Sequence, residues 1–400
     1  MTMDITIHPR KLRGTLQAIP SKSQAHRLLI CAAFADSVTE LCCPQVNQDI
    51  EATVQCLRSL GAGIVRTHAG YRVTPISTPP KAAVLPCRES GSTLRFLLPV
   101  AGALGVDAVF TMAGRLPRRP LSPLQEELMR MGCSITRPTV DTLRCQGQLR
   151  AGNYTISGSV SSQFISGLLF ACALIPGVSR IHITDRLESA PYVTMTQEAM
   201  GLFGVDTTAF LIHGGGRFHS PGNLPVEGDW SNAAFFLGAQ ALGSDLEIQG
   251  LNPCSSQGDR AVSALLAALS QRISISARDI PDLVPILAVV AAGKQGAVFT
   301  DIMRLRLKES DRAASVAAML RSLGIRTDVT ENQLTVHPGI FQGGAVDACG
   351  DHRIAMAAAV AATVCQSPVT ILGAECVEKS YPQFWAEYRR LGGNYEQHLR

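Results

Sequence analysis

The hydrophobic pattern of the chain predicts two kinds of helix that alternate. In the first kind apolar residues cover every side, which is typical of a helix buried all round. In the second kind they recur every three or four residues and give the helix one apolar face. The first kind opens near residues 22, 90, 161, 229, 282 and 351. Each copy is followed by a strand, a loop, a helix of the second kind and another strand.

The spacing of these openings indicates an internal repeat. Successive openings are 68, 71, 68, 53 and 69 residues apart. A unit of about 70 residues with a fully buried helix is too thick for a thin solenoid, so we expect two clusters of three units. The strand after the first helix reads VFTMAG, RIHITD, LEIQG, AVFTDI and VTILGA in five of the copies.

The border between the two clusters is predicted at PVEGDW (225–230), between the third and fourth units. The strand DITIHP precedes the first helix, and we expect it to pair within the second cluster, with a second chain crossing near Ile19–Pro20. The predicted fold class is α/β (α+β) with two similar domains. One domain is residues 20–227, and the discontinuous domain is residues 1–19 with 228–400.

Composition argues against several classes of protein. The formal net charge of +4 is too small to indicate a nucleic-acid partner. The segment MTMDITIHPR has no signal-peptide hydrophobic region, and the apolar run 354–365 is shorter than the ~20 residues of a membrane span. The 12 cysteines form no C-x-x-C pair, which favours reduced thiols over zinc sites or disulfides. We therefore expect a cytoplasmic protein without a membrane anchor.

The openings of the apolar helices carry more polar groups than capping requires. Ser, Thr or Asp at each opening fits an N-cap, and capping alone is the simpler interpretation. It leaves Lys22, Arg27, Arg95 and Arg353 unexplained, because a helix N-terminus already carries partial positive charge. Cations at these ends become favourable when an anion binds there.

More cations lie after the strands that lead into the second helices, in GRLPRRPL (114–121), RLRLKESDR (304–312) and VEKSYP (377–382). A run of charge is usually only a solvated face. These segments occupy equivalent places in the repeat, however, so we expect them to converge with the helix openings. Two carboxylates stand out among the cations: Asp282 is either an N-cap or a general base, and Glu309 either a surface ion pair or a base.

Several kinds of chemistry have no motif in the sequence. It contains no G-x-x-x-x-G-K-[ST] loop, H-E-x-x-H pair or G-x-S-x-G elbow, and GGGR (214–217) lacks the context of a dinucleotide fingerprint. The remaining interpretation is an enzyme for small substrates that carry several anionic groups.

The polar motifs together resemble those of the 5-enolpyruvylshikimate-3-phosphate synthases, the enolpyruvyl transferases of the shikimate pathway. In chain order they read PSKSQAHR, SGSTLR, RRPL, VSSQ, SAPY, VEGDWS, IPD, LKESDR, GDHR and KSYP. The resemblance implies two domains, each of three β-α-β-α-β-β units with parallel buried helices. It also implies an active site in the inter-domain cleft and closure of the domains on the ligands.

The resemblance further implies the activity, a 3-phosphoshikimate 1-carboxyvinyltransferase of chorismate and aromatic amino acid biosynthesis. The substrates would be phosphoenolpyruvate and shikimate 3-phosphate, with no metal or organic cofactor, and the protein would be a monomer. The 5-hydroxyl of shikimate 3-phosphate attacks C2 of phosphoenolpyruvate while C3 gains a proton. The tetrahedral intermediate then loses phosphate as C3 returns a proton.

Site residues follow from the matching motifs. Asp282 would be the base at the 5-hydroxyl, and Glu309 and Lys22 would move protons at C3 and at the bridging oxygen. The phosphoenolpyruvate ligands would be Lys22, Gly91, Arg119, Gln163, Arg312, Arg353 and Lys379. The shikimate 3-phosphate ligands would be Lys22, Ser23, Arg27, Ser161, Ser162, Gln163, Ser189, Asp282 and Lys308.

Three residues depart from the family pattern. Arg304 and His26 stand where Asn is common, and Phe96 follows Arg95 where Pro is common. We therefore expect the contact with the shikimate phosphate near Arg304 to differ.

Two alternatives to this activity stay open. The sister transferase that acts on UDP-N-acetylglucosamine typically uses a loop cysteine, which the matching segment TMAGRLPRRP lacks, and KESDR fits the shikimate enzyme better. A non-catalytic anion-binding module would keep the arginines without needing Asp282 or Glu309.

Overall fold

A computed structural model describes residues 3–399, in which helices and strands alternate throughout. The apolar and amphipathic segments predicted from the sequence form helices. The α-helices of the described residues are α1 (Lys22–Ala33), α2 (Gln48–Ser59), α3 (Gly91–Leu104), α4 (Leu124–Arg130), α5 (Ser162–Leu174), α6 (Ala190–Leu202), α7 (Trp230–Ala241), α8 (Val262–Ala268), α9 (Val284–Ala292), α10 (Arg312–Ser322), α11 (His352–Ala362) and α12 (Phe384–Arg390).

The predicted strands are present as well. The strands are β1 (Met3–His8), β2 (Arg13–Gln17), β3 (Thr39–Cys42), β4 (Gly63–Arg66), β5 (Gly70–Thr74), β6 (Ala82–Arg88), β7 (Asp107–Met112), β8 (Cys133–Thr136), β9 (Thr142–Gly147), β10 (Asn153–Ile156), β11 (Gly177–Ile183), β12 (Leu211–Gly214), β13 (Asn223–Pro225), β14 (Asp245–Gln249), β15 (Ile273–Ser276), β16 (Ala297–Thr300), β17 (Thr327–Val329), β18 (Gln333–Val336), β19 (Gly344–Asp347), β20 (Val369–Leu372) and β21 (Asn394–Leu399). Short 3-10 turns at Leu116–Arg118, Gly258–Ala261, Met303–Leu307 and Ala374–Lys379 precede α4, α8, α10 and α12.

The contacts of the chain divide it into two compact units. The continuous unit is Pro20–Glu227. The discontinuous unit is Met1–Ile19 with Gly228–Arg400, of which residues 3–19 and 228–399 are described. Each unit has its own hydrophobic core.

Most sheets repeat one strand order. In β6-β7-β9-β8, the first two strands are parallel, and β9 and β8 complete the sheet as an antiparallel hairpin. The sheets β13-β3-β5-β4, β15-β16-β18-β17 and β19-β20-β1-β21 have the same order. In the last of these, Ile5 of β1 lies opposite Ile371 and Gln397. The N-terminal strand therefore pairs with the second cluster of repeats, as predicted.

The fourth repeat is shorter than the others. In the described residues β2 and β14 form a parallel sheet of two strands, and β15 follows α8 without an intervening hairpin. The spacing of 53 residues, against 68 to 71 elsewhere, reflects the loss of this hairpin.

The first helix of each repeat lies in a core. All nine residues of α9 and all eleven of α11 are buried. Burial of each large apolar side chain contributes roughly 1.5–3 kcal/mol, so a helix that is apolar all round is stable only when it is surrounded. No helix in residues 3–399 is long and apolar enough to cross a membrane.

Candidate active site

The first turns of α1, α3 and α5 lie side by side in the continuous unit. The Arg27 guanidinium of α1 stacks on the Phe96 ring of α3, with 5.0 Å to the ring centroid. Gly167 of α5 lies against the backbone of Arg95 in α3, where a Cβ would clash. Because these contacts join equivalent early turns, the three N-termini and their exposed N–H groups gather at one end of the unit.

Lys22 begins α1 at this end. Ser21 caps the helix by accepting a hydrogen bond from the Gln24 backbone N–H. The Lys22 ammonium lies 3.1 Å from Asp49 Oδ2, in the first turn of α2, and both side chains are largely buried. A lysine at the positive end of a helix is unfavourable by itself, and the Asp49 carboxylate offsets that charge.

Arg27 is buried one turn further along α1. Its guanidinium donates to the Ser23 carbonyl at 2.5 Å, to Thr196 Oγ1 at 2.8 Å and to the Tyr192 carbonyl at 2.8 Å. Burial lowers the pKa of Arg27 to about 10, so the side chain stays charged at neutral pH. These bonds hold the Arg27 guanidinium in place one turn below the start of α1 and connect α1 to α6.

A second cluster of the continuous unit surrounds Gly91, the first residue of α3. A Cβ on Gly91 would lie 2.9 Å from Arg119 Nη1 and 3.1 Å from Arg95 Nη1. Arg95 donates to Gln163 Oε1 at 2.7 Å, and Gln163 donates to Ser92 Oγ at 2.9 Å. The structure therefore brings together Gly91, Arg119 and Gln163, three of the predicted phosphoenolpyruvate ligands.

Three of the four predicted serine ligands lie at the openings of α5 and α6, and the fourth, Ser23, lies in the first turn of α1. Ser161 caps α5 by accepting from the Gln163 backbone N–H, and Ser162 is buried beside it. Ser189 precedes α6 with φ +54°, in the left-handed region. That conformation costs a non-glycine residue on the order of 1–3 kcal/mol and is frequent at functional sites.

Arg312 is the centre of a network of charges in the discontinuous unit. Its side chain has no exposed surface and contacts three carboxylates. Nε donates to Asp351 Oδ2 at 3.0 Å, Nη1 to Asp282 Oδ1 at 2.6 Å, and Nη2 to Glu309 Oε2 at 2.7 Å. Longer contacts join Nη1 to the Pro281 carbonyl at 3.5 Å and Nη2 to Asp351 Oδ1 at 3.3 Å. The five N–H donors of Arg312 thus face five acceptors.

Asp282 lies between two arginines in this network. Its second oxygen accepts from Arg353 Nη2 at 2.9 Å, and Lys308 Nζ lies 3.9 Å from Oδ1. Burial would raise the pKa of Asp282, but Arg353, Lys308 and Arg312 outweigh it and hold that pKa well below its usual range. The carboxylate is therefore ionised, and the same cations make it a weaker base than an ordinary aspartate.

The alternative that Asp282 is only an N-cap is wrong. The cap of α9 is Leu283, no side chain bonds the backbone there, and the Asp282 oxygens are taken by arginines. Asp229 and Asp351, by contrast, do cap α7 and α11.

Lys308 and Lys379 are the two predicted lysine ligands in this unit. Burial lowers the pKa of Lys308 to about 8, although the Asp282 carboxylate acts in the opposite direction. Lys379 ends the 3-10 turn before α12, and the next residue, Ser380, bonds Asn232 in the first turn of α7. Within residues 3–399, no three His, Cys, Asp or Glu side chains are grouped as metal ligands.

The sequence profile of the EPSP synthase (3-phosphoshikimate 1-carboxyvinyltransferase) family matches residues 7–388. The chain belongs to the EPSP synthase family. The family predicted from the motifs is confirmed, and so is the mixed α/β fold class.

The EPSP synthase relatives match along almost their whole length. The 3-phosphoshikimate 1-carboxyvinyltransferase of Clostridium kluyveri is 37% identical over 418 residues, with 98% of each chain covered. That of Clostridium acetobutylicum is 36% identical over 418 residues, with 98% of this chain and 97% of the relative covered. A solved structure of EPSP synthase from Acinetobacter baumannii is 25% identical, with a TM-score of 0.82 and all of both chains covered.

The three departures from the EPSP synthase pattern have distinct surroundings. His26 is buried, bonds Thr53 Oγ1 through Nδ1 at 2.7 Å, and has a pKa that burial lowers to about 3, so it stays neutral. Phe96 supports the Arg27 guanidinium. Arg304 lies in the 3-10 turn before α10 and contributes to the lowered pKa of Lys308.

Two carboxylates of the site were missed in the sequence. Asp49 pairs with Lys22, and Asp351 holds Arg312 while capping α11. An acidic residue in a first turn is expected from helix electrostatics alone, so neither carried a distinguishing signal.

Proposed function

We propose that this chain transfers the enolpyruvyl group of phosphoenolpyruvate to the 5-hydroxyl of shikimate 3-phosphate and releases phosphate. The observation that carries the proposal is membership of the EPSP synthase family, whose profile matches residues 7–388 and whose Clostridium kluyveri member matches 98% of the chain. The site around Asp282 has the groups that this reaction needs. Asp282 is an ionised carboxylate that can accept a proton, and Arg312, Arg353 and Lys308 are cations that suit an anionic substrate.

Asp282 acts as the base in the addition step. It takes the proton of the 5-hydroxyl as that oxygen bonds to C2 of phosphoenolpyruvate, and C3 receives a proton. The arginines that depress the pKa of Asp282 are also proposed ligands of the anionic substrate. An anion that shares their charge makes Asp282 more basic, because its stabilisation by the cations is then weaker.

Elimination regenerates a double bond. C3 of the tetrahedral intermediate gives up a proton, its electron pair forms the C2–C3 double bond, and the C2–O bond to phosphate breaks. We assign the protons at C3 and at the bridging oxygen to the pair Glu309 and Lys22. Arginine side chains suit the phosphate and carboxylate because they can bond both oxygens of a group at once.

The proposed ligands fall into two groups. In the continuous unit Lys22, Gly91, Arg119 and Gln163 would bind phosphoenolpyruvate, and in the discontinuous unit Arg312, Arg353 and Lys379 would do so. The remaining proposed ligands bind shikimate 3-phosphate: Ser23, Arg27, Ser161, Ser162, Ser189 and Lys308, together with Lys22, Gln163 and Asp282. The monomeric state and the cytoplasmic location remain predictions.

The test is a turnover assay with the purified chain. Incubation with phosphoenolpyruvate and shikimate 3-phosphate should release inorganic phosphate and produce a vinyl ether detectable by proton NMR. Replacing shikimate 3-phosphate with UDP-N-acetylglucosamine should give no release, which separates the two enolpyruvyl transferases. Absence of reaction with shikimate 3-phosphate in both the forward and the reverse direction would overturn the proposal.

A further inference from the structure

A row of four buried polar side chains joins α1 to the opening of α3 by way of α2. His26 Nδ1 lies 2.7 Å from Thr53 Oγ1, and Thr53 Oγ1 lies 2.7 Å from Thr93 Oγ1. Thr93 Oγ1 donates in turn to Ser90 Oγ at 2.7 Å. None of the four residues is more than 1% exposed. Hydrogen bonds away from water are strong and bonds in a row strengthen one another, so the four side chains form one unit, here called the hydroxyl chain.

The donors of the hydroxyl chain all point in one direction. The Thr93 hydroxyl has a single hydrogen, which it gives to Ser90, with the Asp49 carbonyl as a second acceptor at 3.5 Å. Thr93 can therefore only accept from Thr53, and Thr53, whose hydrogen is then used, must accept from His26. Burial lowers the pKa of His26 to about 3, so the ring is neutral and has one N–H. That N–H is on Nδ1, and His26 is the first donor of the chain.

The hydroxyl chain connects two parts of the proposed phosphoenolpyruvate site. Its first member lies on α1, one turn after Lys22. Its last member, Ser90, is the N-cap of α3 and accepts from the Thr93 backbone N–H at 3.3 Å, directly before Gly91. An N-cap side chain bonds the free N–H groups of the first turn, so a fixed Ser90 oxygen also fixes where that turn begins.

We propose that His26 is a positioning residue, which acts through Thr53 and Thr93 to hold the first turn of α3 at a set distance from α1 and thereby raises the affinity for phosphoenolpyruvate. The identity of this ligand rests on the proposed function. His26 contributes a hydrogen bond and no charge, because its ring is neutral.

Two replacements of His26 separate the hydrogen bond from the bulk of the side chain. His26→Leu removes the donor, whereas His26→Asn keeps one, since Nδ2 of asparagine is as many bonds from the backbone as Nδ1 of histidine. The KM for phosphoenolpyruvate should rise about three- to tenfold in His26→Leu, the effect of one lost hydrogen bond. Its kcat and its KM for shikimate 3-phosphate should stay close to wild type, and His26→Asn should bring the KM for phosphoenolpyruvate back towards the wild-type value.

Thr53→Val interrupts the hydroxyl chain in its middle and should raise the same KM to a similar extent. The double variant with His26→Leu should be no worse than either single variant, because both changes break one chain. Additive increases would contradict it. Thr207→Val is the matched control and should leave the KM unchanged. Thr207 is also buried in the continuous unit, but its hydroxyl has no hydrogen-bond partner within residues 3–399.

Nitrogen NMR of the histidine rings tests the direction of the chain without turnover. The His26 signals of wild type, identified by their loss in His26→Asn, should show a protonated Nδ1 and an unprotonated Nε2. The proposal would be overturned by a proton on Nε2, by an unchanged KM for phosphoenolpyruvate in His26→Leu, by an equal rise in both KM values, or by equal impairment of the two His26 variants. A wild type without turnover would overturn the proposed function instead, and the position of the ring proton would still decide the direction of the chain.

Discussion

Asp351 Oδ2 accepts a hydrogen bond from Arg312 Nε at 3.0 Å, and neither side chain has any exposed surface. The same carboxylate accepts from Ser310 Oγ at 3.0 Å and caps α11 through the Arg353 backbone N–H at 3.0 Å. One buried group thus connects the opening of α11, the start of α10 and the segment that carries Lys308 and Glu309.

Asp351→Asn should destabilise the protein by about 3 kcal/mol, because breaking a buried ion pair leaves the remaining charge poorly compensated. The measurement is the denaturant midpoint followed by circular dichroism. The control is Glu40→Gln, which breaks the exposed pair with Arg72 at 2.7 Å and should cost less than about 1 kcal/mol. Similar shifts for the two variants would contradict the structural role of Asp351.

Asp282→Asn should lower kcat by about 10²- to 10⁴-fold, the usual contribution of a general base. The affinity for shikimate 3-phosphate should change far less, because the cations around residue 282 remain. Phosphate release gives the first quantity and calorimetric titration the second. Asp328→Asn, at an exposed aspartate near Arg326, should retain full activity. Turnover near the wild-type rate in Asp282→Asn would favour a different base or a non-catalytic role.

Binding of shikimate 3-phosphate should weaken as the pH rises through about 8. Burial lowers the pKa of Lys308 to about that value, and an anionic ligand is attracted only by the protonated side chain. The contribution of Lys308 to the free energy of unfolding changes with pH in the opposite direction to ligand binding. Between pH 8 and about 10 the unfolded chain keeps the Lys308 proton that the folded chain has lost, so the contribution of this group to stability rises with pH.

Arg304→Asn should move this binding transition to higher pH, because Arg304 is one of the charges that lower the pKa of Lys308. Titrations with shikimate 3-phosphate across pH 7 to about 10 would measure the midpoint. Arg306→Asn serves as the control, since the Arg306 guanidinium bonds the Thr330 and Glu331 carbonyls at the surface. The same midpoint in wild type and Arg304→Asn would contradict the influence of Arg304.

Gly91→Ala should raise the KM for phosphoenolpyruvate and leave shikimate 3-phosphate binding close to normal. The added Cβ would lie 2.9 Å from Arg119 Nη1, so the Arg119 side chain has to move. Helix α3 should still form, because alanine favours a helix over glycine by about 1 kcal/mol. Steady-state kinetics with each substrate varied would check this, with Gly201→Ala in α6 as the control, since a Cβ there meets nothing within 4 Å. An unchanged KM for phosphoenolpyruvate would argue against Gly91 lying beside that substrate.

The elements of the fold could be predicted from the sequence because each has a local physical cause. Segments that are apolar all round, such as α9 and α11, must be buried, and their regular spacing revealed the repeat before any contact was known. The segment DITIHP, which was predicted to pair within the second cluster, forms β1 and lies between β20 and β21. Cations at helix openings marked the candidate site, because that position is unfavourable without an anion.

Which charges meet could not be read from the sequence, since it depends on contacts between residues far apart in the chain. Asp282 had the pattern of an N-cap, and only the packing of α10 and α11 beside it places Arg312 and Arg353 on its two oxygens. Asp49 and Asp351 could not be recognised for the same reason: acidic residues are common at helix starts, and their pairing with Lys22 and Arg312 depends on tertiary contacts. Sequence therefore determined the repeating elements and the places where polar groups collect. Tertiary structure decided how the carboxylates and cations pair, because a side chain's charge acts over a few ångströms whatever its distance along the chain.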